Sequence, residues 1–358
     1  MQPLQTSSRA TVRNLNIMSY LRRVVVTVCV AAGLVAALSF RNHIAKARAR
    51  VSSAVAPSPF FPAGSIWTQD ASSSPVDPAS DAIIQWLDKA GGWGTGRMRV
   101  DFAIRVLQAD ASTPKVPFRR AKEFYDNAAD MVPSVPLPTG GGMEGPSGYQ
   151  CPTSQDDCHY IVADRNSHKL YEAWSATYDG KALSAVMLAI WDLDKVYPPS
   201  GRGDQCTSAD AAGYPIAPLL FNADELAVGH IDHAIRFVLP NERIRAGVFI
   251  HPATHAGGPS GPALAPPYGT HLRLKATYDV SHLKPAAQVV ARAMQKYGMF
   301  LADGGSIALT AQNDADTKTK YSDIGFESND LRALKVTDFE VLKEGPLIPL
   351  THDCVLNR

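Results

Sequence analysis

YIVAD (Tyr160–Asp164) and KLYEAW (Lys169–Trp174) flank the polar tetrapeptide Arg165-Asn166-Ser167-His168. Two short runs rich in β-branched and aromatic residues around a turn-forming tetrapeptide predict a hairpin. Working outward, the strand signal repeats. Val100, Phe102, Ile104 and Val106 alternate with Asp101 and Arg105, the pattern of a half-buried strand. His271–Tyr278 (HLRLKATY) alternates strictly, with Leu272, Leu274, Ala276 and Tyr278 on one face and His271, Arg273, Lys275 and Thr277 on the other. The apolar run Leu183–Leu193 suits a central strand; Arg236–Leu239, Gly247–His251 and Asp338–Leu342 add three more. Helices are few: Ala79–Ala90, Pro285–Tyr297 with Pro in its first turn and Gly298 at its end, and Ala223–Ile235 behind an Asn222/Glu225 capping box. The expected fold is mainly β with a few helices, an antiparallel β-sandwich or jelly-roll-like single domain after an N-terminal transmembrane segment.

Composition agrees. Of 358 residues, 45% are hydrophobic and 19% charged, which favours folding over disorder. Gly and Pro, 26 each, point to many turns. A net charge of +1 excludes a strongly basic nucleic-acid binder, so no nucleic-acid partner is expected. Val24–Phe40 carries no charge, and Arg22-Arg23 and Arg41 bracket it. At 1.5 Å per residue it spans about 25 Å, enough for a thin bilayer. No small-x-small site follows directly, so it reads as a signal anchor rather than a cleaved signal peptide. The expected organisation is a basic tail (1–23), an anchor (24–40), a linker (41–62) and a β-rich extracytoplasmic domain (63–358). The domain is then membrane-anchored and exported, or secreted if the segment is cleaved. Outside the anchor stand Cys151, Cys158, Cys206 and Cys354, which allow three disulfide pairings. Cys151 and Cys158 enclose a short loop and form a natural pair.

Half of the ten histidines fall between His230 and His271. On a helix through Ile235, His230 and His233 lie side by side, while Asp232 and Glu225 point elsewhere. With His251 or His255 they could hold a metal, although interfacial histidines satisfied by hydrogen bonds are the simpler reading. Arg273 and Lys275 on the polar strand face suit a carboxylate if that face floors a cleft. Glu144 is the single acid of the Gly-rich loop Thr139–Gly148, which lacks the lysine and context of a phosphate cradle. Trp191-Asp192-Leu193-Asp194 could line a sugar subsite or simply end a strand. G-x-S-x-G, H-E-x-x-H and EF-hand patterns are absent from the sequence, and no cofactor is called for.

The stretches Thr207–Pro218 (TSADAAGYPIAP), Asp224–Phe237 (DELAVGHIDHAIRF), His251–Ala256 (HPATHA), Pro266–Asp279 (PPYGTHLRLKATYD) and Tyr297–Gly305 (YGMFLADGG) resemble a widespread family of exported, mainly bacterial proteins. Met143–Gly145 and Cys158–Glu172 fit the same pattern, which covers roughly half the chain. The resemblance implies recurring roles for Glu144, His159, Asp164, Glu225, His233, His255, Arg273, Lys275 and Asp303, and less regular ones for His230 and His251. It also implies a polysaccharide or cell-surface glycan as partner, because such proteins often occur with carbohydrate-binding or adhesion modules.

The leading expectation is an exported, membrane-tethered domain cleaving a glycosidic bond, with an acidic polysaccharide as substrate. His233 or His255 would be the base and Glu144 or Glu225 the acid. Arg273, Lys275, His159 and Asp303 would bind substrate. This requires the imidazoles of His233 and His255 to share one pocket with Arg273 and Lys275. The rivals are a non-catalytic glycan-binding module and a metal-dependent enzyme.

Overall fold

The Tyr160–Asp164 and Lys169–Trp174 strands pair antiparallel, Tyr160 opposite Ala173 and Asp164 opposite Lys169. The Asp164 carboxylate closes the turn between them by accepting the backbone N–H groups of Asn166 and Ser167 and the Ser167 hydroxyl. The computed structural model describes residues 60–121, 127–144, 148–151 and 157–357. The expected anchor Val24–Phe40 and its basic tail lie outside the described residues. Among the described residues no helix is long and apolar enough to cross a membrane.

Leu107–Ala109 and Met187–Asp192 flank the hairpin to complete a four-stranded sheet. Alternate residues of its strands face two different cores. Ile161, Ala163, Met187, Ala189 and Trp191 join the larger apolar cluster; Tyr160, Val162 and Leu188 join the smaller. A strand covered on both faces has no polar side, which is why this part of the sequence reads as an unbroken apolar run. A six-stranded sheet runs in the order Val100–Asp101, Leu309–Thr310, Ile235–Leu239, Met299–Gly304, His271–Leu274, Phe339–Val341. A further four-stranded sheet holds Ser134–Pro136, Lys115–Arg120, Leu183–Ala185 and Thr177–Tyr178. Helix α1 (Ser80–Lys89) precedes the sheets in sequence, α2 (Ala223–Val228) follows the hairpin sheet, and α3 (Pro285–Lys296) packs on the His271–Leu274 strand.

The fold is therefore β-rich with few helices, but its sheets are mixed rather than purely antiparallel. Val100–Asp101 with Leu309–Thr310, Ile235–Leu239 with Met299–Gly304, Leu107–Ala109 with Tyr160–Asp164, and Lys115–Arg120 with Leu183–Ala185 all run parallel. Side-chain periodicity reports which faces are buried and carries no information on partner direction. The run Leu183–Leu193 divides into two strands of two sheets, with the break at Val186.

Two other expectations change in ways that matter for the site. The helix over 223–235 stops at Val228, because Gly229 adopts φ 96° and caps it in the left-handed region. His230 to Ala234 are then non-helical, and Ile235 opens a strand. The strand over 271–278 ends at Leu274, and all four of its residues are buried. Arg273 is buried under Glu340 and the carbonyls of Ala71 and Ser74, so the face that bears it is not solvated.

Both disulfides are formed: Cys151–Cys158, as the short loop predicts, and Cys206–Cys354, which ties the C-terminal segment to the middle of the chain. Two disulfides indicate an oxidising compartment. Phe61, placed in the linker by composition, is instead buried and packs edge-on against Trp191 and Tyr197.

The capping box at α2 is present in full. Asn222 Oδ1 accepts the Glu225 N–H at 3.1 Å, and Glu225 Oε2 accepts the Asn222 N–H at 2.9 Å. Asn222→Ala is expected to cost about 1 kcal/mol of stability in denaturant unfolding; an unchanged midpoint would mean that tertiary packing alone holds this turn.

Candidate functional site

The hairpin sheet and the six-stranded sheet meet at a cleft of about 740 Å³, counting its solvent-filled mouth. His159 enters it from the start of the hairpin and Trp174 from its end. The Thr207–Ala211 segment supplies Asp210; Asn241 follows the Ile235–Leu239 strand; Asp303 and Gly304 end the Met299–Gly304 strand. Gly257, Gly258 and Tyr268 from the Gly/Pro-rich loop complete the lining. Gly304 leaves room for Asn241, whose Oδ1 would lie 2.2 Å from a Cβ there and would have to shift.

A register shift brings the acids into place. Ile235, Arg236 and Phe237 oppose Met299, Phe300 and Leu301, but Val238 opposes Asp303 rather than Ala302. Without the extra residue, alternation would turn Asp303 toward the buried Phe237 face. With it, Asp303 shares a face with Arg236. Arg236 Nη2 lies 2.6 Å from Asp210 Oδ2 and 3.5 Å from Asp303 Oδ2, and Nη1 donates to the Thr310 hydroxyl at 3.0 Å. The Arg236 side chain is 4% exposed and that of Asp210 0%, whereas Asp303 remains 28% exposed.

The electrostatics follow. Burial works against the Arg236 guanidinium, but Asp210 and then Asp303 outweigh it and hold it charged. One guanidinium faces two carboxyls, and Asp210 has the shorter contact. The two carboxyls compete for that one cation: burial pushes the Asp210 carboxyl up to about 7, with Arg236 opposing the rise and Asp303 adding to it. Burial raises the proton affinity of Asp303 above the usual carboxylate value, although Arg236, the Gly304 N–H and His159 pull the other way.

The second ionisable pair is Glu144–His159. Glu144 Oε1 accepts from the His159 backbone N–H at 2.8 Å and meets its Nδ1 at 2.6 Å. His159 Nε2 faces the Ala209 carbonyl at 3.2 Å. A carbonyl only accepts, and a carboxylate accepts when ionised, so both ring nitrogens carry protons and the ring is an imidazolium. Burial opposes that charge, yet Glu144 more than offsets it and the imidazole is shifted upward. The Glu144 carboxyl, pushed up by burial, is drawn below its ordinary value by the same contact.

Behind the cleft, Glu172 is wholly buried in the hairpin sheet. It accepts the N–H groups of Ile216 and Ala217 and the Trp191 indole N–H, fastening the end of the segment that carries Asp210. Burial pushes its carboxyl up to about 7, with those donors opposing.

Of the residues proposed from sequence, His159 and Asp303 line this cleft, and Glu144 holds His159. His255 sits behind its wall: Nδ1 faces the Ala211 carbonyl and the Gly257 N–H, and burial lowers its proton affinity. His233 and Glu225 lie in another recess, lined by Phe60, Phe61, Trp67 and Leu220 among others. They pair at 3.1 Å, because the chain leaves the helix at Gly229 and turns His233 back onto Glu225. Arg273 is structural: it pairs with Glu340 at 2.8 Å and donates to the carbonyls of Ala71 and Ser74. Lys275 donates to the Thr337 carbonyl. The expected meeting of His233, His255, Arg273 and Lys275 in one pocket does not occur. Asp232 does reach a neighbouring imidazole, that of His230 at 3.2 Å, contrary to the helical reading. His251 pairs with Asp204. These histidines have separate partners, and among the described residues no three His, Cys, Asp or Glu side chains gather as metal ligands. Trp191 and Asp192 do not line the cleft; Trp191 is buried and Asp192 pairs with Lys169.

Sequence reasoning missed Asp210, Arg236, Glu172, Asp157 and Trp174. A signal existed for two of them. Arg236 interrupts the apolar strand Ile235–Leu239, and Glu172 stands among the apolar residues of KLYEAW. A charge inside a buried strand implies a buried partner.

Comparison of the chain with protein-family models, curated proteins and solved structures finds no match.

Proposed function

We propose that the cleft is an acid–base site that cleaves glycosidic bonds in an exported domain, tethered through Val24–Phe40. The observation that carries this is the pairing of opposite roles on one cleft: a carboxyl with raised proton affinity, Asp303, and a carboxylate-held imidazolium, His159. Two ionisable groups tuned for different tasks across a concave site are the ingredients of acid–base catalysis. Asp303 in its ionised form takes a proton from an attacking water as its oxygen bonds to the anomeric carbon, and the His159 Nε2–H, exchanging its 3.2 Å contact with the Ala209 carbonyl for the departing sugar oxygen, protonates that oxygen as the glycosidic C–O bond breaks. Trp174 adds aromatic surface suited to a sugar ring. The two disulfides fit an exported protein. Arg273 and Lys275 are committed elsewhere and supply no carboxylate clamp here.

The sign of the pH dependence follows. Activity needs Asp303 ionised and His159 protonated. It should rise through the elevated Asp303 value and fall through the elevated His159 value, giving a bell. Glu144→Gln should move the alkaline limb toward lower pH, because the imidazolium loses its partner. The experiment is a polysaccharide panel with product detection, followed by pH profiles of the active pairing. No product from any glycan, or a profile indifferent to Glu144→Gln, would count against this assignment.

A further inference from the structure

We infer that the glycan taken by this cleft bears free, protonated amino groups, an inference that rests on reading the cleft as a glycan-cleaving acid–base site. The ionisable acid and histidine side chains lining it are Asp157, His159, Asp210 and Asp303, with no lysine or arginine among the described lining residues. Arg236 lies behind the wall, where Asp210, the Thr310 hydroxyl and, at 3.5 Å, Asp303 share its guanidinium. The His159 imidazolium is balanced by Glu144. Arg236 can balance only one of Asp210 and Asp303, so with Asp157 the cleft keeps an excess of carboxyl over cationic groups. A uronic-acid polymer would place like charge against that excess, whereas an ammonium group would neutralise it.

The rim is shaped for such a cation. Asp157 is exposed, and the Trp174 indole N–H donates to its Oδ1, fixing the carboxylate beside the aromatic ring. An ammonium group docked there meets a carboxylate that the indole N–H holds in place, an arrangement that favours a cation over a neutral hydroxyl. Asp303 stands deeper in the same cleft, so a sugar held at the rim by its amine presents its neighbouring linkage toward the acid–base pair.

The test is calorimetric titration of the full chain with oligomers of glucosamine, N-acetylglucosamine, glucose and galacturonic acid. It is run at about pH 6, where an aliphatic amine is protonated. The His159 imidazole resonances, followed in parallel, report whether the cleft is occupied. Glucosamine oligomers should bind on the order of tenfold more tightly than glucose oligomers, with galacturonate weakest. The preference should shrink with added salt and in Asp157→Asn, whose exposed side chain leaves folding undisturbed. If glucose or galacturonate oligomers match or exceed glucosamine while still shifting the His159 resonances, the charge inference is overturned and the glycan site stands. If no oligomer perturbs His159, the glycan reading itself fails and takes the inference with it.

Discussion

Arg236→Met is expected to destabilise the protein by about 3–5 kcal/mol, read as a drop in the denaturant midpoint at unchanged slope. The side chain removed is 4% exposed, and its partner Asp210 is 0% exposed. The variant leaves Asp210 buried without a counter-charge and strips the Thr310 hydroxyl of its donor. Asp210 also accepts the Ala212 N–H, and the neighbouring Ser208 hydroxyl donates to the Tyr214 carbonyl while accepting the Asp210 N–H, so the Thr207–Ala217 segment shares the cost. Neutralising the orphan should recover part of the loss, so Arg236→Met/Asp210→Asn is expected to be more stable than Arg236→Met alone. A loss under about 1 kcal/mol in the single variant would place this pair among exposed ion pairs and remove the electrostatic frame assigned to the cleft.

Asp303→Asn should lower turnover on the cognate glycan by about 10²–10⁴-fold while leaving the fold intact. The asparagine oxygen can still accept the Gly304 N–H that Asp303 Oδ1 accepts at 2.7 Å. The contact to Arg236 is the longer of its two carboxyl contacts, so its loss costs little. What disappears is the group that exchanges a proton at the cleft surface. The acidic limb of the pH profile should vanish with it, since that limb reports the ionisation of Asp303. Full turnover in a folded Asp303→Asn protein would assign the base elsewhere.

The hairpin, α1 and α3 were legible because each is a local pattern: alternation, a turn tetrapeptide, or a proline start with a glycine stop. The Cys151–Cys158 pairing was legible for the same reason. Of the site, only Glu144, His159 and Asp303 were singled out in the sequence. Its assembly depends on two non-local events. One is the register shift that turns Asp303 onto the Arg236 face. The other is the parallel pairing of Ile235–Leu239 with Met299–Gly304 across about sixty residues of chain, which no window of periodicity can detect. The misreading of His233 came from one residue. Gly229 was placed inside a helix, but its left-handed conformation ends that helix, and every facing relation derived from the longer wheel was lost. Arg273 misled for the opposite reason. Strict alternation placed it on a polar face open to substrate, while Glu340 and two backbone carbonyls cover it.

Titration of the His159 imidazole by heteronuclear NMR, in the wild-type protein and in Glu144→Gln, reads the charge state of the cleft without any substrate. The groups acting on this ring are Glu144, Asp157 and Asp303. The midpoint should lie above that of an unperturbed histidine and fall in Glu144→Gln. A midpoint at or below the unperturbed value, indifferent to the loss of the Glu144 charge, would contradict an imidazolium poised opposite Asp303.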